Sequence, residues 1–102
     1  MPYFALMYDV VDNFADQRMP FRPAHLQEVK DAKARGELVM AGALGEPAGA
    51  LLIFRAADKS VAERFAINDP YVKQGLVTAW RVRPWTVVIG QDPSETPPGL
   101  PR

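Results

Sequence analysis

The chain of 102 residues contains no cysteine, only one histidine, and no excess of charge of either sign. The missing cysteine excludes disulfides, thiolate metal sites and a cysteine nucleophile. Twelve Lys and Arg balance twelve Asp and Glu, and the charges are scattered, so neither nucleic acid nor a membrane surface is an expected partner. The longest apolar stretches, such as residues 48–54, are far shorter than the ~20 residues of a membrane-spanning helix. The composition therefore argues against these kinds of site and partner.

The N-terminus has no basic segment, no long apolar stretch and no small-residue cleavage site, and Met1-Pro2-Tyr3 leads directly into a strand-like pattern. We therefore expect a cytoplasmic protein. The length suits one domain with a thin core, for which a second subunit would provide useful cover. We expect residues 1–90 to form this domain and residues 91–102 to form a Pro-rich tail, extended or disordered unless it lies on a neighbour.

The first half of the chain predicts a strand, a long connection and a helix. Residues 3–9 are rich in aromatic and long apolar side chains, as in a buried strand. The connection over residues 9–21 is long and polar for so small a domain, and we expect it to form one wall of a pocket. Pro23 suits the first turn of a helix, residues 24–35 are good helix formers, and Gly36 is placed to end it.

The second half predicts a hairpin, two helical segments and a last strand. Apolar runs over residues 38–44 and 50–56 flank turn residues, which favours a hairpin. Ser60 and Glu63 have the spacing of a capping box that opens a helix ending near residue 68. Asp69 followed by Pro70 signals one extra helical turn before residue 75. Residues 77–89 form the last strand region, with a break or bulge expected at Pro84.

The predicted order is therefore βαββαβ, an α+β arrangement of the ferredoxin-like type. It has a four-stranded antiparallel sheet with two helices on one face, which leaves the other face bare. The strands carry apolar side chains at nearly every position, so both faces need cover. A second copy packed sheet to sheet is the simplest cover, and we expect a homodimer.

His25 is the strongest candidate for a functional residue in this sequence. Its spacing to Val29, Ala32 and Gly36 places it at the N-terminal end of an inward helix face. Histidine is the side chain that gives and takes protons near neutral pH without a large change in its pKa. The competing interpretation is a structural histidine that satisfies a buried hydrogen bond.

The sequence resembles the YCII-related (YciI-like) family over residues 1 to about 90. The resemblance rests on the order and spacing of four groups of residues: Arg22-Pro23-Ala24-His25-Leu26; Gly36-Glu37-Leu38 with Ala41-Gly42-Ala43-Leu44; Asp69-Pro70-Tyr71-Val72 with Gly75-Leu76-Val77; and Arg83-Pro84-Trp85. Members of this family are similar to muconolactone isomerases in architecture, so the resemblance implies a dimeric α+β barrel. Most members have no established reaction, and one branch is described as removing chloride from a chlorinated hydroxyhydroquinone.

The resemblance also implies a histidine and aspartate pair, which corresponds here to His25 with Asp9, and with Asp69 nearby. Position alone favours Asp9 as a turn residue and Asp69 as a helix cap. Asp12 and Asp16 lie in the same connection, so the partner of His25 stays open at this point. Arg22, Tyr71 and Gly42 are candidate substrate contacts. Each also has a structural explanation: a solvated arginine, a core tyrosine and a strand bulge, respectively.

We therefore predict a small enzyme without a cofactor, a lyase or isomerase that transfers protons on a small cyclic or aromatic metabolite. His25 would be the acid or base, oriented by Asp9, with Asp69 or Tyr71 near the substrate. A metal site is not predicted, because the chain has one histidine and no cysteine. The alternatives are a non-catalytic small-molecule-binding or accessory subunit, a cofactor-free oxygenase of the same fold, and a haem binder that uses one axial histidine.

Overall fold

A computed structural model describes residues 1–90, and its elements follow the predicted order with two short additions. In chain order they are β1 (Tyr3–Val10), α1 (Phe14–Gln17), a 3₁₀ turn (Met19–Phe21), α2 (Arg22–Ala34), β2 (Leu38–Leu44), β3 (Gly49–Arg55), α3 (Ser60–Asn68), α4 (Pro70–Lys73) and β4 (Val77–Trp85). The predicted Pro-rich tail lies outside the described residues. The long connection after β1 therefore contains α1 and the 3₁₀ turn.

The four strands form one antiparallel sheet in the order β2-β3-β1-β4. This is the strand order of a ferredoxin-like fold, and the predicted α+β class is confirmed. The hairpin between β2 and β3 is also confirmed. Because β1 and β3 are the central strands, residues near the end of β1 lie beside the β2–β3 hairpin.

The core lies between one face of the sheet and the helices. Alternate residues of β1, namely Phe4, Leu6 and Tyr8, are buried on this face, as strand geometry requires. Leu52 and Phe54 continue the layer on β3, and Phe54 meets Phe65 of α3 edge to face at 5.3 Å between ring centroids. The helices contribute mainly small side chains, Ala32, Ala62 and Ala66, which allow them to pack close to the sheet.

Both ends of α2 follow from the sequence. The helix begins at Arg22, one residue before Pro23, which occupies the first turn where its missing N–H is not needed. At the other end Gly36 adopts a left-handed conformation with φ of 79°, and the N–H of Glu37 donates to the carbonyl of Ala32. This is the expected glycine-terminated helix end.

The structure corrects two local predictions. Ser60 and Glu63 do not form a capping box; instead the carboxylate of Asp58 accepts hydrogen bonds from the N–H and hydroxyl of Ser60. An aspartate two residues earlier offers a stronger acceptor than a serine hydroxyl. The strand is not broken at Pro84, which pairs with Phe4 of β1. Proline is tolerated there because β4 is an edge strand, in which a missing backbone donor costs little. The irregularity in the β1–β4 pairing lies at Asp9 and Val10 instead.

The opposite face of the sheet carries exposed apolar side chains that no described helix covers. Met40 is 64% exposed, and Leu44 and Trp85 are each 46% exposed. Ile53, at the centre of this face, is already buried by its neighbours. Among the described helices, none is long and apolar enough to cross a membrane.

Two glycines of the hairpin region differ sharply in the space around them. A Cβ on Gly49 would lie 2.6 Å from the backbone oxygen of Tyr8, closer than any real side chain allows. A Cβ on Gly42 would meet nothing within 4 Å, so the close approach of protein backbone atoms occurs at Gly49 and not at Gly42. The register shift in the β2–β3 pairing lies between Leu38 and Met40, so Gly42 is not a bulge.

We expect Gly49→Ala to destabilise the fold by about 1–3 kcal/mol, because the added methyl forces β1 and β3 apart. The matched Gly42→Ala should change stability by less than about 0.5 kcal/mol. Urea unfolding followed by circular dichroism measures both. Equal midpoints for the wild type and Gly49→Ala would contradict the close approach.

Candidate active site

A pocket of about 260 Å³ opens between α2, the β2–β3 hairpin and the connection that follows β1. Arg22 and His25 line it from α2, together with the apolar Leu26 and Val29. Phe14 and Arg18 line it from the connection, so this connection forms one wall of the pocket as predicted. The volume suits a small ring compound rather than a nucleotide.

Apart from Tyr8 and Leu52, the sheet side of the pocket is made of small residues. Ala41, Gly42 and Ala43 come from β2, and Gly49 and Ala50 come from β3. Ala43 and Ala50 face each other across the strand pair. Because these side chains end at Cβ or lack one, the hairpin leaves free volume above the sheet instead of filling it.

His25 projects from the first turns of α2 toward α4. Its Nδ1 lies 2.9 Å from Oδ1 of Asp69. The imidazole is 14% exposed, and the Asp69 side chain is fully buried. One ring nitrogen of His25 is therefore engaged with a carboxylate inside the protein, while the residue itself lines the pocket.

Asp69 is the N-cap of α4 and receives hydrogen bonds from three elements. Besides His25 of α2, the Tyr8 hydroxyl of β1 donates to its Oδ2 at 2.7 Å, and the N–H of Tyr71 donates to its Oδ1 at 2.9 Å. Burial, reinforced by the Asp69 carboxylate, raises the pKa of Tyr8, so this phenol remains a donor. The predicted cap role of Asp69 is confirmed, with Pro70 at the first helical position.

Aromatic side chains extend from His25 to the pocket wall formed by the connection after β1. The His25 ring stacks on Tyr71 with centroids 4.0 Å apart and an interplanar angle of 14°. Phe14 meets Tyr71 edge to face at 5.2 Å, and the Arg18 guanidinium lies 5.5 Å from the Phe14 ring centroid. Burial raises the pKa of Tyr71, although the nearby guanidinium groups of Arg22 and Arg18 oppose the change. This row of rings fixes the orientation of the imidazole.

Glu28, one helical turn after His25, adds a second acid behind the site. Burial and the nearby Asp69 carboxylate raise its pKa to about 7, against the partial opposition of Lys73 and Arg35. Its Oε1 is shielded from solvent and has no hydrogen-bond partner among residues 1–90. Glu28 also borders a separate groove between α2 and α3. It therefore binds a proton more strongly than an exposed glutamate.

The structure brings together most, but not all, of the residues singled out in the sequence. His25, Arg22, Tyr71 and Gly42 line the same pocket, and Asp69 lies directly behind His25. Asp9 lies elsewhere: its side chain points away from the helices, is 59% exposed and meets Arg81 of β4 at 3.4 Å. The predicted pairing of Asp9 with His25 is therefore not present. Strand alternation accounts for this, since Tyr8 faces the helices and its neighbour cannot.

Sequence reasoning did not single out Tyr8, Phe14, Arg18 or Glu28. A signal existed for Tyr8, because its strand position puts it on the same face as the core residues Phe4 and Leu6. Arg18 and Phe14 lie in a connection whose short helix has no strong periodic pattern. Within residues 1–90, no three His, Cys, Asp or Glu side chains lie close enough together to hold a metal ion.

Comparison with known proteins places the chain in a family of small domains. Residues 1–86 match the model of the YCII-related domain, and the chain belongs to this family. The family expected from the sequence is thus confirmed. Comparison with curated proteins found no match.

One similar solved structure is 5-chloro-2-hydroxyhydroquinone dehydrochlorinase from Burkholderia phenoliruptrix AC1100, in complex with 2,5-dihydroxybenzoquinone. The two chains share 24% sequence identity and superpose with a TM-score of 0.68. The match covers 82% of this chain and 93% of the other. The likeness supports the assigned fold.

The raised pKa of Glu28 predicts a stability that depends on pH. The pKa of Glu28 is about 7 in the folded chain and 4.5 for an ordinary glutamate. Between these two pH values the folded chain therefore binds more protons than the unfolded chain. Stability should therefore fall as the pH rises through this range. Glu28→Gln should remove this pH dependence. At pH 8 it should also stabilise the protein by about 1 kcal/mol, less than the full pKa shift implies, because solvent screens the half-buried carboxylate.

Urea unfolding of the wild type and Glu28→Gln at pH 5 and pH 8 measures this difference. The exposed turn residue Glu46 provides the control, since Glu46→Gln should keep the wild-type dependence. A pH dependence that persists unchanged in Glu28→Gln would contradict the assignment.

Proposed function

We propose that this chain is a small enzyme without a cofactor that moves protons on a small cyclic or aromatic metabolite, as an isomerase, lyase or dehydrohalogenase. The observation that carries the proposal is the 2.9 Å contact between His25 Nδ1 and the buried Asp69, beside a pocket of about 260 Å³. His25 is the acid or base, and Asp69 is the residue that orients it.

The contact with Asp69 supports Nε2 as the nitrogen of His25 that acts. An ionised carboxylate can only accept hydrogen bonds, so the ring nitrogen facing Asp69 carries a hydrogen. In the neutral imidazole Nε2 then holds the lone pair and can remove a proton from a ligand carbon or hydroxyl. The resulting imidazolium is stabilised by the Asp69 carboxylate, which is held in place by Tyr8 and by the N–H of Tyr71.

The proton taken up by Nε2 has two possible destinations, which define two reaction types. Returned to a different atom of the ligand, it completes an isomerisation. In a dehydrohalogenation, the electron pair of the broken C–H or O–H bond forms a new double bond, and the halide leaves with the electrons of its own bond. The proton on Nε2 then passes to water, so the products are an unsaturated ring and an acid.

The similar solved structure supports a ring compound as the substrate. The structurally similar dehydrochlorinase was solved with 2,5-dihydroxybenzoquinone, a flat oxygenated ring. A compound of this kind fits the volume and the aromatic lining of the pocket. Arg22, Tyr71 and Gly42 are the proposed substrate contacts, and a role in aromatic degradation follows from such a substrate.

Replacement of either member of the His25–Asp69 pair should strongly lower the rate of turnover. We expect His25→Gln and Asp69→Asn to lower the rate by roughly 10²–10⁴-fold, the usual contribution of a positioned acid or base. Asparagine can still cap α4, so Asp69→Asn should remain folded. The measurement is hydrogen exchange in deuterated water, followed by mass spectrometry, with a panel of hydroquinones, catechols and muconolactones.

Asp9→Asn is the matched control, because Asp9 is exposed on the far side of the sheet and should not affect the rate. Wild-type exchange by His25→Gln would refute the proposal. Tight binding of a panel compound without exchange or product would instead favour a non-catalytic binding protein. Oxygen consumption with a hydroquinone would favour an oxygenase.

We further propose that the chain works in the cytoplasm as a homodimer in which the exposed sheet faces pack together. The apolar residues Met40, Leu44 and Trp85 support this, since they would otherwise remain in water. The helices already cover the other face of the sheet. Sheet-to-sheet packing therefore covers the exposed face without disturbing the pocket side chains of α2.

Light scattering should give twice the chain mass of 11.3 kDa. Met40→Glu, which places a charge on the proposed interface, should raise the dimer dissociation constant by at least about tenfold. Ile67→Glu is the matched control, because Ile67 is 58% exposed but lies on α3, away from the sheet. A monomer mass for the wild type at micromolar concentration would refute the dimer.

A further inference from the structure

The charge that lines the pocket is of one sign. Arg18 and Arg22 both line it, and no Asp or Glu does so within the described part of the chain. Asp69, the carboxylate that contacts His25, is fully buried and already accepts three hydrogen bonds. A ligand in the pocket therefore faces two guanidinium groups and no exposed negative charge.

Arg18 has a donor that the protein leaves unused. Its Nε is shielded from solvent and has no acceptor among residues 1–90. The side chain is held over the Phe14 ring and carries no carboxylate partner there. The hydroxyl of Tyr71 also lacks a well-aligned partner within the same residues. Unpaired buried donors destabilise a folded protein, and a ligand oxygen that pairs with them removes this cost.

We propose that the pocket binds its ligand as an anion, a flat ring bearing a carboxylate or an ionised hydroxyl, and that Arg18 together with Arg22 recognises the negative oxygen. This rests on the proposed function, because it names the substrate class of the same pocket. Guanidinium groups suit such oxygens, since they offer parallel donors in a fixed plane. Arg18 is a binding residue in this scheme, and it sets specificity.

The arrangement also fixes the orientation of the ligand. Arg22 and His25 are three residues apart on α2 and so share one helix face. A ring held by its negative oxygen at the arginines presents the neighbouring ring atoms to His25. Apolar side chains, Leu26, Val29 and Leu52, line the rest of the pocket and suit the ring itself.

Calorimetric titration with unreactive pairs of probes tests the proposal. Benzoate is compared with benzamide, and 4-nitrophenolate with 4-nitroanisole, so that each pair differs in charge but little in shape. We expect the wild type to bind at least one anion about tenfold more tightly than its neutral counterpart, as charge-assisted hydrogen bonds provide. Preference within the first pair identifies a carboxylate, and preference within the second identifies an ionised hydroxyl.

Arg18→Gln should weaken binding of the preferred anion by about tenfold and leave the neutral probe unaffected. Arg64→Gln, an exposed arginine of α3, is the matched control and should change neither. If Arg18→Gln does not fold, Arg18→Lys keeps the charge without the planar fork and should bind the anion more weakly than the wild type. In the wild type, added salt should also weaken the binding of the anion but not the binding of the neutral probe.

Three outcomes overturn the proposal: equal affinity within both pairs, equal losses for charged and neutral probes in Arg18→Gln, or no binding of either anion at millimolar concentration. Failure of the proposed function is separate from these. If His25→Gln keeps full exchange activity while the wild type prefers anions, the acid–base role is wrong and the anion site stands. If His25→Gln is inactive but charge makes no difference to binding, only the anion site is wrong.

Discussion

The rest of this structure depends on the hydrogen bonds that the buried carboxylate of Asp69 accepts. It joins β1, α2 and α4 through Tyr8, His25 and the N–H of Tyr71. A fully buried charge is tolerated only when such donors surround it. The same carboxylate caps α4 and holds the imidazole of His25. The packing of β1, α2 and α4 therefore also places His25.

The fold was accessible from the sequence because its signals are local and mutually consistent. Gly36 ends α2, and Asp69 with Pro70 starts α4, each through backbone chemistry that few other residues provide. The errors occurred where two local solutions compete. Asp58 displaced Ser60 as the acceptor at the start of α3, and Pro84 remained within a strand because that strand lies at the edge of the sheet.

The site was only partly accessible, for a different physical reason. His25 was evident as the single histidine on an inward helix face, but its partner depends on contacts across the fold. The sequence interpretation favoured Asp9 over Asp69 as this partner, and the alternation along β1 turns Asp9 away from α2. Arg18 and Glu28 could not be identified, because the role of a charged side chain is set by burial, which depends on how distant elements pack.

The pocket divides its parts between two kinds of element. The helices and the connection after β1 supply the charged and titratable side chains, whereas Ala41, Ala43 and Ala50 of the β2–β3 hairpin leave space. None of these three alanines takes part in the hydrogen bonds that hold the imidazole. Added methyl groups there would narrow the cavity while leaving Asp69 and its donors in place. Within this architecture, substitutions in the sheet can therefore change the size of ligand that fits, independently of the acid–base chemistry on the helices.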